Sequence, residues 1–301
     1  MKKSTKDIWV NMVRMVGDVA PFVQVDYMDK DAHEHTGIIL LDSGSTANIL
    51  SPEMANCIGQ LCKLEAKDTI SSIAEEVMDV DKVKFSFAFG GFQFHETFCI
   101  SRQKLPIPVK GMKVVGILGN QFLQKHQLVI DYSDHTLHTS MVSPHNLSSS
   151  DCSFFFPMEI GLKYYGLPVL PVKQNGRELV TLVDSGAIGN MITKKALVDN
   201  EFKCLYYNEK DTMMGITGEV DVEEAHVRFN MLSIDGDDVC EVSRHDRFSV
   251  LPCNIFTFEE ECDENGEQMP PIEVLIGSPF MAKEGWILDF GAKIMYKLKA
   301  A

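Results

Sequence analysis

Leu40-Leu41-Asp42-Ser43-Gly44-Ser45-Thr46-Ala47-Asn48-Ile49-Leu50 runs from an apolar stretch through Asp-Ser-Gly and back into an apolar stretch. The same pattern returns as Leu182-Val183-Asp184-Ser185-Gly186-Ala187-Ile188-Gly189-Asn190-Met191-Ile192, at an offset of 184 − 42 = 142 residues. A given Asp-Ser-Gly triplet turns up in a chain this long with a probability of roughly one in ten. Alone it reads as a tight turn, because Asp and Ser hydrogen-bond their own backbone and Gly supplies φ > 0. Two copies in register mark an internal duplication, which sets the frame for every later assignment.

The duplication continues downstream. Ile117-Leu118-Gly119-Asn120-Gln121-Phe122-Leu123 and Val129-Ile130-Asp131-Tyr132 match Leu275-Ile276-Gly277-Ser278-Pro279-Phe280-Met281 and Ile287-Leu288-Asp289-Phe290, at an offset of 277 − 119 = 158. The second half has therefore gained 158 − 142 = 16 residues, most of them expected between Ser233 and Pro270. There Glu259 to Glu267 reads as an acidic surface hairpin around Asn265-Gly266, a type I′ turn signal. The plain reading of that stretch is a solvated loop; steering of basic substrates is the other. Asn146-Leu147-Ser148-Ser149-Ser150-Asp151 is polar and aperiodic and reads as a linker, dividing the chain into lobes 1–146 and 147–301.

Strand patterns dominate: Phe22 to Val25, Gly37 to Leu41, Val83 to Phe89, Val169 to Val172 and Leu179 to Val183 alternate or run apolar over strand lengths. Helices are few. Ser278 to Gly285 reads as one, with Ser278 as N-cap, Pro279 at the first helical position and Gly285 just past the end. Its counterpart is Asn120 to His126, and Ser51-Pro52-Glu53-Met54 opens another that ends near Gly59. Ile8 to Val16 fits helix or strand. The expected class is all-β.

The 301 residues carry 28 Lys plus Arg against 43 Asp plus Glu, a formal charge of −15 that argues against a nucleic-acid partner. At 45 % hydrophobic and 24 % charged the composition is that of a globular protein, and roughly 150 residues per domain suggests two. No apolar run approaches the ~18 residues of a membrane span, and Met1-Lys2-Lys3-Ser4-Thr5-Lys6-Asp7 lacks the apolar region of a signal peptide. The eight cysteines form no C-x-x-C pair, so we expect reduced thiols and a cytoplasmic location without membrane association.

Two Asp-Ser-Gly turns, each followed by an apolar-apolar-Gly strand, a short helix and an apolar-Asp-aromatic ending, make each half resemble one lobe of the aspartic proteases. The order Asp184-Ser185-Gly186, Gly215-Ile216-Thr217-Gly218, Leu275 to Phe280 is similar to the retropepsin-like branch in particular. This chain carries both aspartates, as the bilobal pepsin-like enzymes do. The resemblance implies two homologous barrel-like lobes and an aspartic endopeptidase that acts on a peptide or protein substrate, with a single chain sufficient. It also implies that Ser43 and Ser185 hydrogen-bond across the lobe interface.

Asp42 and Asp184 are then the expected catalytic pair. Two carboxyls held close cannot both ionise, so they share one proton; one activates water while the other donates to the peptide carbonyl. Gly44 and Gly186 permit the sharp turn, and Gly119 and Gly277 let backbone lie against backbone behind it. Ser45 follows the first triplet where Ala187 follows the second, and a hydroxyl donated to the neighbouring carboxylate would make Asp42 the ionised member and Asp184 the protonated one. Asp131 and Asp289 also repeat and are the alternative dyad, although no Gly turn accompanies them.

Gly215, Ile216, Thr217 and Gly218 supply the glycines a mobile flap needs, whereas the equivalent Ser71-Ser72-Ile73-Ala74-Glu75-Glu76 has none. One working flap is expected, from the second lobe. That departs from the pepsin-like pattern, in which the first lobe carries the flap with an aromatic near its tip. No nucleotide-binding or G-x-S-x-G motif occurs, and no cofactor is expected. His33-Glu34-His35 and His135-Thr136-Leu137-His138 lack an H-E-x-x-H frame or a nearby Cys, so no metal is expected either. Phe85, Phe87, Phe89 and Phe154 to Phe156 read as core or lobe-interface packing. A peptide-binding scaffold that kept the fold and lost turnover is the rival reading. A glycosidase is a remote third, since its paired carboxylates sit ~5 to 9.5 Å apart and need no Gly turn.

Overall fold

The computed structural model describes residues 13–299 except 18, 60–62, 71–77, 102–103, 106–108, 110, 140–148, 159–163, 215–218, 237, 254 and 256–268. The first half runs β1 (Val13–Arg14), β2 (Phe22–Met28), β3 (Glu34–Asp42), β4 (Ile49–Leu50), α1 (Pro52–Ile58), β5 (Lys63–Ile70), β6 (Met78–Phe89), β7 (Phe92–Ile100), β8 (Val114–Gly119), α2 (Asn120–Lys125), β9 (Leu128–Asp131) and β10 (Thr136–Thr139). The second runs β11 (Cys152–Pro157), β12 (Val169–Gln174), β13 (Arg177–Asp184), β14 (Asn190–Thr193), α3 (Lys194–Asp199), β15 (Lys203–Met214), β16 (Glu219–Asp235), β17 (Asp238–Leu251), β18 (Val274–Gly277), α4 (Ser278–Glu284), β19 (Ile287–Asp289) and β20 (Ile294–Leu298). The chain is all-β with few short helices; each stretch the alternation pattern marks lies in a strand, and β7 and the long β15, β16 and β17 are strands it did not mark.

The duplication is visible strand by strand. One seven-stranded sheet has the order β2-β3-β8-β4-β7-β6-β5 and the other β12-β13-β18-β14-β17-β16-β15. Each curls shut through one extra pairing, β2 with β6 and β12 with β16, so each lobe is a barrel. Alternation decides which residues fill it: Val23, Val25 and Tyr27 of β2 point inward while Gln24, Asp26 and Met28 face out. In the first lobe Phe85, Phe87, Phe89, Phe94 and Phe98 are all buried, with Phe89 and Phe94 ring centres 4.7 Å apart.

Half of the second lobe's extra length lies in its long hairpin. Ile49 pairs with Cys99 and its repeat mate Met191 with Ser249, an offset of 249 − 99 = 150, so 150 − 142 = 8 residues lengthen β16 and β17. The other 158 − 150 = 8 fall between β17 and β18, where the acidic stretch Glu259 to Glu267 lies outside the described residues.

A third sheet, β1-β10-β9-β19-β20-β11, takes three strands from each half. At its centre β9 and β19 pair antiparallel, Asp131 with Ile287, Ile130 with Leu288 and Val129 with Asp289. The 158-residue offset maps this register onto itself, so a pseudo-two-fold axis passes between Ile130 and Leu288. Behind the sheet Phe154 stacks on the fully buried Trp286 at 5.0 Å, and Phe280 meets the indole edge-on at 5.1 Å. Val13 and Arg14, for which sequence left helix or strand open, pair with β10.

Candidate active site

β3 and β13 end where their parallel neighbours end: Asp42 pairs with Gly119 of β8, and Asp184 with Gly277 of β18. A Cβ at Gly119 would strike the carbonyls of Ala47 and Ser45, and one at Gly277 those of Gly189 and Ala187. The turns are thus laid directly on the backbone of the strand behind, as only glycine allows. Asn48 Oδ1 accepts from Gly119 N at 2.9 Å and Asn190 Oδ1 from Gly277 N at 3.0 Å, which fixes each turn to its support.

The two turns meet face to face. Ser43 N donates to Ser185 Oγ at 2.9 Å and Ser185 N to Ser43 Oγ at 2.8 Å. Each hydroxyl then donates across the interface, Ser43 Oγ to Val183 O at 2.7 Å and Ser185 Oγ to Leu41 O at 2.8 Å. All four bonds are buried and join one lobe to the other, each contributing about 0.5–1.5 kcal/mol net of the water bonds it replaces.

This lock brings the half-buried Asp42 and Asp184 carboxyls within hydrogen-bonding contact of each other. Asp42 Oδ1 accepts from Gly44 N at 2.9 Å; Asp184 Oδ1 accepts from Gly186 N at 2.8 Å and Ala187 N at 3.1 Å. The glycines fit crosswise: a Cβ on Gly44 would collide with the Asp184 carboxyl, and one on Gly186 with that of Asp42.

Burial, then the charge of Asp184, then the bond to Asp184 push the Asp42 carboxyl well above the usual carboxylate range. Burial also raises Asp184, against the opposing pull of the bond from Asp42 and the N–H groups of Gly186, Ala187 and Gly44. The two carboxyls therefore share one proton whose titration belongs to the pair, and Ser45 does not assign it to either residue. The reason is local: Ser45 Oγ donates to Ala47 O at 2.8 Å and closes its own turn instead of reaching the carboxylate. A Ser45→Ala variant should accordingly keep the parent's pH–rate profile for peptide hydrolysis, and a displaced acidic limb would show that the hydroxyl tunes the pair.

Proton linkage gives a second expectation. A carboxyl raised in the folded chain contributes full stability below the unfolded value of 3.8, and that contribution is lost as pH rises through the folded value. Asp42→Asn removes this loss, so its melting temperature should exceed the parent's at pH 7 and do so by a smaller margin at pH 3. Calorimetry showing a margin independent of pH would contradict a raised Asp42.

Support behind the turns is unequal. Ser278 is not the N-cap of α4, a position taken by Gly277; its hydroxyl instead donates to Ser185 O at 2.5 Å. Because that proton is committed, the phenol of buried Tyr132 is the donor to Ser278 Oγ, at 2.7 Å. The repeat mates of Ser278 and Tyr132 are Asn120 and Phe290, so the relay backs the Asp184 turn alone. Asn48, Asn190 and Tyr132 escaped sequence reasoning, although the identity of the two Asn residues within the repeat is a signal that could have found them.

Asp131 and Asp289 do not form a facing pair of this kind. Asp131 Oδ1 accepts from Ser133 N at 2.8 Å and Ser133 Oγ at 2.6 Å, and Asp289 Oδ1 from Ala292 N at 2.8 Å, so each caps its own hairpin turn. Gly215, Ile216, Thr217 and Gly218, and with them Ser71 to Glu76, lie outside the described residues. The strands flanking them pair as far as Met214 with Glu219 and Ile70 with Met78.

No protein-family model matches the chain, and no curated protein sequence does. Among the described residues no helix is long and apolar enough to cross a membrane. Among solved structures, the chain is similar to the aspartic proteinase from Irpex lacteus, with a TM-score of 0.51, 10 % identity, and 97 % of each chain covered. At that identity the likeness is one of fold: two all-β, barrel-like lobes arranged as in an aspartic proteinase.

Proposed function

We propose that the chain is an aspartic endopeptidase of retropepsin-like character, with Asp42 and Asp184 as its catalytic pair. The observation that carries this reading is the buried lock between Ser43 and Ser185, which holds two carboxyls in mutual hydrogen-bonding contact with both acidities weakened. An extended peptide lies across the pair, between the lobes. One carboxylate of the pair takes a proton from water as the water oxygen bonds to the peptide carbonyl carbon, and its partner gives the shared proton to the carbonyl oxygen. The resulting gem-diol collapses as the carboxyl that took the water proton gives it to the amide nitrogen, its partner takes a hydroxyl proton and the C–N bond breaks, leaving one proton on the pair and no covalent intermediate.

Ser43, Gly44, Ser185 and Gly186 position the pair, and Ser45 and Ala187 complete the two turns. Since one chain supplies both aspartates, dimerisation is not needed. The lobes 1–146 and 147–301, a peptide or protein substrate and a cytoplasmic site of action belong to the same proposal.

The test is turnover of unfolded protein and peptide libraries from pH 3 to pH 8, with a hydroxyl-bearing peptide isostere as competitor. Activity needs one proton on the pair, so it should fall on the acid side as the pair takes up a second proton and on the basic side as it loses the one it shares. Peptide binding without turnover at any pH would overturn the enzyme reading and assign the fold to a peptide-binding scaffold.

A further inference from the structure

His33 and His35 offer no metal motif in sequence because no cysteine stands near them, yet the fold brings one. Helix α1 docks its last turn on the loop between β2 and β3, where Lys30 N donates to Cys57 O at 3.2 Å. The donor atoms of Asp29, His35 and Cys57 then all lie within 4.8 Å of one another. From these we infer a binding site for a zinc-like divalent transition-metal ion, made by Asp29, His35 and Cys57.

Two of the three ligands are already oriented by neighbouring groups. Asp29 Oδ1 accepts from Asp31 N at 2.8 Å and His33 N at 2.9 Å, which turns Oδ2 toward His35 Nε2 at 2.8 Å. The His35 ring is held by stacking on Tyr27, its cross-strand neighbour, at 5.5 Å and 25°. His33 Nδ1, 3.5 Å from Asp29 Oδ2, groups with Asp29 and Asp31 instead, so the fourth position of the tetrahedron falls to water. Metal–ligand bonds of about 2.0–2.3 Å in a tetrahedron put ligand atoms roughly 3.3–3.8 Å apart, so closure needs shifts of about 1 Å at the side-chain tips.

The donor set decides the class of ion. Thiolate and imidazole select zinc or its neighbours, whereas magnesium and calcium require oxygen ligands. On binding, Cys57 releases its thiol proton and His35 keeps its proton on Nδ1, leaving Nε2 to the metal. Carboxylate and thiolate balance the two positive charges. The site lies away from the aspartate pair: seven residue steps along β3 lead from His35 to Asp42, about 23 Å at ~3.3 Å per residue. An ion there would clamp the β2–β3 loop to α1 and has no part in peptide hydrolysis, so the inference stands apart from the proposed activity.

Calorimetric titration of the full chain with Zn²⁺ and optical titration with Co²⁺ test it. We expect one ion per chain, thiolate-to-cobalt charge-transfer absorption, and a higher melting temperature with metal. Loss of an outer partner alone costs ~10- to 100-fold, so Cys57→Ser and His35→Gln should each weaken affinity by about 100-fold or more. Cys240→Ser, at an exposed thiol, should not. In the parent chain Zn²⁺ should also shield Cys57 from alkylation, read by peptide mass, which keeps the test independent of how the variants fold. Absent binding, equal affinity in Cys57→Ser, or an unshielded Cys57 would each overturn the site.

Discussion

Asp184→Asn or Asp42→Asn lowers kcat for peptide hydrolysis by about 10³-fold or more while KM changes little. Proton transfer by a positioned side chain contributes roughly 10²–10⁴-fold, and each substitution removes one of the two transfers. Asn is close to Asp in shape, so the Ser43–Ser185 lock and the peptide cleft persist. What disappears is one of the pair's two roles, giving the shared proton to the carbonyl oxygen or receiving one from water. Because the interaction matters only in the transition state, the loss falls in kcat. The raised melting temperature expected of Asp42→Asn makes the experiment clean, since inactivity would coincide with a more stable fold. Steady-state cleavage that survives either substitution would remove the pair from the chemistry.

Gly44→Ala and Gly186→Ala should be almost as damaging, through geometry alone. The new methyl of Gly44→Ala lands on the Asp184 carboxyl, and that of Gly186→Ala on the Asp42 carboxyl. Neither carboxyl can retreat far, because backbone N–H groups of its own turn hold it. Overpacking of this kind costs about 1–3 kcal/mol of stability. A displacement of about 1 Å at the reacting groups costs about 10²-fold in rate. Gly189→Ala, where nothing stands within 4 Å of the added carbon, should change stability by no more than about 0.5 kcal/mol. Denaturant melts and kcat/KM for the three variants decide the matter. Equal behaviour of Gly44→Ala and Gly189→Ala would mean the turns are looser than drawn.

The repeat explains why so much could be read early. Asp-Ser-Gly at 42 and 184 and the glycines at 119 and 277 are short, local and duplicated, and local turn chemistry is what a sequence shows best. Alternation in β2 and β3 likewise exposes which side of a strand is buried. Features made by distant partners were hidden. Ser278 carries every mark of an N-cap beside Pro279, but its hydroxyl is drawn to Ser185 O, 93 residues away in the chain. Ser45 has a donor that local reasoning sends to Asp42 and the turn sends to Ala47. His35 and Cys57 sit 22 residues apart with nothing periodic between them to announce their meeting. The central sheet drawn from both halves was unforeseen for the same reason, since β9 and β19 are four and three residues long and each reads as an ordinary buried strand.

That central sheet bears on ancestry. Its β9–β19 register is unchanged when the two strands exchange places, and so is the exchange of bonds between Ser43 and Ser185. A free-standing half would expose both surfaces, and each is complementary to a copy of itself, the condition for an isologous homodimer. Joining two such protomers in one polypeptide releases them from identity. Tyr132 opposite Phe290, Ser278 opposite Asn120, and the eight residues added to one long hairpin are the divergence that fusion permits and symmetry forbids.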